Sequence, residues 1–195
     1  MRLSYLPFAL SIFISAFLLF QVQPIISKYI LPWFGGTSAV WTTAMLFFQT
    51  FLLLGYAYIL SLSKVSIKKQ IVFHAALVIG ITSLIIFLFP IWRAPILPDI
   101  SWKLDDTVSP ILSVLTLLFI SVGLPYFLLS TTSVLLQKWF HLMQSERSPY
   151  PLYALSNIAS LLALISYPVV VEPFLSLQSQ GIWWAIGFIL YGIFL

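Results

Sequence analysis

The sequence predicts an all-α fold, a polytopic membrane bundle of six transmembrane helices in a single domain covering residues 1–195. Three observations predict it. The chain is 61% hydrophobic and 7% charged, whereas soluble proteins carry about 25% charged residues. Its mean hydropathy is +1.07. Its charges gather between long apolar runs, and each run approaches the ~20 residues that a helix needs to cross a hydrocarbon core.

In chain order the runs are approximately Leu6–Ile30, Ser38–Leu60, Gln70–Pro90, Pro110–Phe140, Leu152–Val171 and Leu177–Leu195. The first has Arg2, an apolar core and small residues, like a signal peptide. No small-residue cleavage site follows and the apolar run continues through Pro24-Ile25-Ile26, so it is read as a retained first helix. The fourth is too long for one perpendicular span; tilt, a kink at Gly123-Leu124-Pro125 or an interfacial extension absorbs the excess. In the sixth, dense apolar sequence starts only at Gly181, and the run ends at Leu195 with no charged tail, which looks like a chain cut short or continued elsewhere.

The fifth run carries the most chemistry. Pro149 and Pro151 precede it, Tyr150 and Tyr153 sit at headgroup level, and Asn157 lies about a turn inside. Glu172 and Pro173 close it, while Ser156/Ser160 and Ala159/Ala163 repeat small residues four apart, which lets another helix approach closely. This pattern predicts a helix packed inside the bundle.

Loop charges orient the bundle. Arg2, Lys64, Lys68, Lys69, Lys138 and Arg147 fall on one side, which places both termini in the cytoplasm. The other side has Lys28, Arg93 and Lys103 against Asp99, Asp105, Asp106 and Glu172. Tryptophans 33, 41, 92, 102, 183 and 184 fall at the outer ends of spans and Trp139 at an inner end, as interfacial belts do. The loop Ile91–Ser109 reads either as a solvated connector or as a segment folded over the outer mouth.

Polar groups inside spans are functional candidates by default. Gln21, Gln23, Lys28 and Glu172 lie near the outer face. Lys28 and Glu172 pair or receive a substrate's opposite charges; alternatively Lys28 snorkels and Glu172 caps a helix end. Midway, Gln49 faces the kink at Pro125 and Ser121, a place for a midplane site or for packing alone. Toward the inside, Ser130 to Ser133 lie level with His74 and Asn157, as helix–helix glue or, at His74, a proton relay. All of these groups are expected to turn inward, away from lipid. No catalytic motif, metal-ligand set or cofactor motif is present, and with no cysteine there is no thiol chemistry. The bases are spread over several loops, which suits topology better than nucleic-acid binding.

Four stretches are more specific: Q-P-I-I-S-K-Y-I-L-P-W-F-G-G-T-S-A-V-W-T-T (Gln23 to Thr43), F-F-Q with L-L-G-Y-A-Y (Phe47 to Tyr58), V-G-L-P-Y-F-L-L-S (Val122 to Ser130), and S-P-Y-P-L-Y-A-L-S-N with Y-P-V-V-V-E-P (Ser148 to Pro173). In this order they resemble the membrane part of bacterial proteins that fuse a major-facilitator-like region to a spermidine-synthase-like domain. The resemblance implies the bacterial inner membrane and one half of a major-facilitator-like carrier for a small polar or cationic solute. That half works with a second membrane half or other subunits, as a homo- or hetero-oligomer. It equally allows an accessory subunit, or an anchor for a spermidine-synthase-like partner. The enzyme-like region has no counterpart here, and Ser61–Gln70 lacks the Gly/Asp/Arg pattern of the major facilitator superfamily.

Overall fold

The computed structural model describes residues 5–92, 94–102, 109–144 and 148–195; Arg2, Arg93, Lys103, Asp105, Asp106 and Arg147 lie outside them. Among the described residues the chain forms long helices and no strand. They are α1 (Tyr5–Phe34), α2 (Ser38–Leu62), α3 (Ile67–Leu88), α4 (Pro110–Met143), α5 (Tyr150–Phe174) and α6 (Leu177–Phe194). The first 5 are long and apolar enough to cross a membrane. α6 is shorter and opens with Gln178 and Gln180, so its place in the bundle comes from packing.

Local chemistry sets the ends. α1 runs through Pro24 and Pro32 and stops at Gly35, whose φ of 77° ends the helix in the left-handed region that glycine occupies freely. Pro110 starts α4 at a position where its missing N–H costs nothing. Ser176 caps α6 by accepting from the Ser179 N–H. At ~1.5 Å per residue the 34 residues of α4 exceed a ~30 Å core. A π-turn at Phe119–Gly123, ending two residues before Pro125, interrupts α4 midway. A second π-turn, Tyr167–Val171, surrounds Pro168 in α5.

The bundle is built around α1 and α4. Of the most apolar stretch of each, 56% is buried, against 28% in α2 and in α3 and 17% in α5. α5 is therefore a peripheral helix, not the inner one its sequence predicts. α1 makes its most extensive contact with α5 and also packs on α4 and α6; α4 makes its most extensive contact with α2; α3 lies against α6 and α4. This set of contacts maps onto itself when α1–α3 are exchanged with α4–α6.

The start of α1 and the end of α6 lie at one end, where the Ser11 hydroxyl donates to the Phe194 carbonyl. Lys138 reaches Ser63 at that same end. The opposite end is covered by the α3–α4 loop, where Ala94 to Pro98 are buried. This part of the loop thus folds onto the bundle. Trp184 and Trp139 are core residues, 3% and 5% exposed, because their N–H groups donate to the Leu18 carbonyl and to Gln70 Oε1. In these two positions the hydrogen bond decides placement over the interfacial preference.

The loop rests on a bare helix surface. A Cβ added at Gly181 would lie 2.9 Å from Leu97 and 3.1 Å from Ala94. Gly181→Ala is expected to destabilise the detergent-solubilised protein by about 1–3 kcal/mol through overpacking. In thermal unfolding, Gly181→Ala combined with Leu97→Ala should lose less than the sum of the two single losses. Strict additivity would show that the loop does not bear on α6.

Candidate functional site

The predicted polar residues divide into groups spent inside the bundle and groups left on its surface. The first group follows the α1–α5 seam. Ala159 and Ala163 are 0% exposed, so α1 approaches α5 closely there, as the small-residue spacing predicts. Gln21 is buried in the seam; its Nε2 donates to the Ala163 carbonyl and to Ser166 Oγ, each at 2.9 Å. Two residues on, facing α4, Gln23 Nε2 donates to the Tyr126 hydroxyl at 3.1 Å. Beyond it Lys28 forms an ion pair with Glu172, each side chain about 40% exposed (39% and 40%). Pro125 is buried behind its π-turn, next to a buried Ser121 hydroxyl that has no partner among the described residues.

Gln49 and Asn157 behave oppositely. Both are exposed on membrane-spanning helices, and neither hydrogen-bonds a described residue. The inward orientation expected for them is corrected by rotation about the helix axis. α5 meets the bundle through Leu152, Ala159 and Ala163. Asn157 precedes Ala159 by two residues, about 200° round the helix from that stripe. On α2, Phe47 and Phe48 take the buried face and Gln49 falls past its edge. Glu172 is also exposed, but at a helix end and with a charged partner.

A third cluster lies toward the termini. His74 is 0% exposed, with Nδ1 3.3 Å from the Tyr58 hydroxyl and its ring edge-to-face with Trp139 at 5.8 Å. Gln70 Nε2 donates to the Val65 carbonyl at 2.8 Å, which orients Gln70 Oε1 toward Trp139. Tyr191 and Thr132 share a hydrogen bond of 2.6 Å between α6 and α4. Ser130, Thr131 and Thr132 bond carbonyls of their own helix. Ser133 donates to Ser156 rather than Asn157, so the expected tie between these hydroxyls and Asn157 is not made. Sequence reading missed Tyr58, Gln70, Trp139 and Tyr191 as bonding partners. The available signal was that a buried Tyr or Trp needs a partner for its polar tip.

In the loop, the Ser101 backbone N–H and then its side chain bond Asp99 and hold its carboxyl below the usual carboxylate range. Among the described residues no group of 3 or more His, Cys, Asp or Glu is placed to hold a metal ion. No family model, curated protein or solved structure matches the chain. The fold and these sites define an integral membrane helical bundle.

The two classes of amide should separate in stability measurements. Gln21→Leu removes two hydrogen bonds between helices and is expected to cost about 0.6–1.7 kcal/mol. Asn157→Leu removes none and should stay within about 0.5 kcal/mol of the parent. Unfolding of both variants in mild detergent checks this, and equal losses would contradict the assignment.

Proposed function

We propose that this chain is one half-bundle of a major-facilitator-like carrier for a small polar or cationic solute, completed by a second membrane half from another copy or another chain. One observation carries the reading. α2 and α5, which exchange places in the contact pattern, both leave apolar faces unpacked, and each face presents one amide, Gln49 or Asn157, within the membrane. An amide without a hydrogen-bond partner in an apolar medium costs about 1–3 kcal/mol on protein-based scales. A second half seated on these faces would remove that cost and place both amides at the seam between halves, where carriers built from structural repeats bind their solutes. The resemblance of the four sequence stretches to a major-facilitator-like region points the same way. The bacterial inner membrane fits this reading, with both termini cytoplasmic, because Lys64, Lys68, Lys69 and Lys138 gather at the terminal end.

The test is uptake of radiolabelled spermidine into proteoliposomes made from native-membrane extracts of the protein. Uptake should exceed that of empty vesicles and fall at least about tenfold, equivalent to ~1.4 kcal/mol, in Asn157→Leu and Gln49→Leu. Unchanged uptake in both variants would remove the carrier reading.

A second reading has its own support. The buried amides Gln21 and Gln70 are spent on contacts within the bundle, as in a scaffold. On that view the chain is an accessory subunit of a membrane complex, or an anchor for a spermidine-synthase-like partner. Sizing in a mild detergent separates the two: a defined hetero-complex without uptake favours the scaffold, and a lone monomer excludes it.

A further inference from the structure

The cleft between α1, the end of α5 and the start of α6 has features that neither reading of function uses. Phe17 and Ile25 of α1, Val171 at the end of α5, and Gln180, Trp183 and Trp184 of α6 line it. Its volume of about 120 Å³ admits a run of methylenes and excludes another helix. Trp183 is 61% exposed, so the cleft opens sideways, toward lipid. From Phe17 to Lys28 the stripe on α1 climbs ~16 Å, close to the ~15 Å depth of one leaflet's hydrocarbon. At the top of that stripe stands the Lys28–Glu172 ion pair.

A further polar group in the cleft is unsatisfied. Gln180 is 2% exposed; its Nε2 donates to the Leu175 carbonyl at 2.9 Å, while its Oε1 has no partner among the described residues. The cleft thus combines an apolar trough with a buried acceptor that lacks a donor, and the Lys28–Glu172 ion pair stands beyond its end.

We infer that this cleft is a binding site for one zwitterionic phospholipid whose ammonium carries N–H donors, a phosphatidylethanolamine. One acyl chain lies along Phe17, Ile25 and Trp183. The phosphate meets Lys28, and the ammonium meets Glu172 and supplies the donor that Gln180 Oε1 lacks. Charge complementarity selects the class: a zwitterion matches both members of the ion pair, and an anionic lipid matches only Lys28. The missing donor selects within the class, because a quaternary choline has no N–H to give.

The test uses the delipidated full chain and native mass spectrometry. Phosphatidylethanolamine, its mono- and dimethyl derivatives, phosphatidylcholine and phosphatidylglycerol are offered with identical acyl chains. Retention should fall stepwise with methylation, by roughly tenfold across the series, and Glu172→Gln should flatten the series. The methylation series is read on the wild-type chain and so does not depend on how a variant folds. A flat series, a preference for phosphatidylglycerol, or an unchanged series in Glu172→Gln would each overturn the proposal. Because the readout is binding to the isolated chain, it stands or falls independently of solute uptake.

Discussion

The seam between α1 and α5 is the contact on which the rest of the bundle depends. Lipid offers no hydrophobic drive for two apolar helices to associate, so they hold together by close packing and by hydrogen bonds between them. Ala159 and Ala163 supply the closeness. Their small side chains let Gln21 reach across to the Ala163 carbonyl, which already accepts from Ser166 and from the Tyr167 N–H at the edge of the π-turn. The tie lies one turn before Pro168, at the N-terminal edge of the π-turn. Because α1 also packs on α4 and α6, fixing α1 against α5 positions those helices as well.

The same constraint explains where the remaining polar groups lie. Hydroxyls bond their own helix, as Thr131 and Thr132 do with the Leu128 carbonyl, and need no neighbour. Longer or bulkier side chains bond between helices: Gln23 to Tyr126, Tyr191 to Thr132, Trp184 to the Leu18 carbonyl. Each is a tie between elements far apart in sequence. Gln49 and Asn157 make neither kind of bond. These two amides are left open on α2 and α5, the helices that correspond in the contact pattern.

Depth was legible in the sequence and rotation was not. Counting from span ends placed Lys28 and Glu172 at one level, and they pair. Counting also placed Gln49 and Asn157 well inside apolar runs, and both lie in helices long and apolar enough to cross a membrane. Whether such a residue faces the core is a question of angle about the helix axis. A helix apolar on all sides has no polar face to set that angle, and here only packing decides it. For α5 the deciding residues are Ala159 and Ala163, and Asn157 follows from them. The small-residue spacing was visible in advance; read as a contact stripe, it would have turned Asn157 outward. The kink in α4 was legible because proline removes a donor wherever it stands, whereas the π-turns before Pro125 and around Pro168 are one of several ways to absorb it. The covering of the far end by Ala94 to Pro98 depends on Gly181 being bare, a long-range match that no local pattern encodes.

The exchange pattern of the contacts gives the open amides their meaning. Three helices per unit is an odd number, so two such units in one chain run in opposite senses, as inverted repeats do. In such an arrangement the helices that correspond, α2 and α5, have the same surroundings, and a face left open on one is left open on the other. The 28% and 17% burial of these two helices, against 56% in α1 and α4, follows that division. α3 is as lightly buried as α2, yet its polar groups, His74 and Gln70, are turned into the bundle. Low burial alone therefore does not set α2 and α5 apart from α3; what sets them apart is an exposed amide with no hydrogen bond to a described residue.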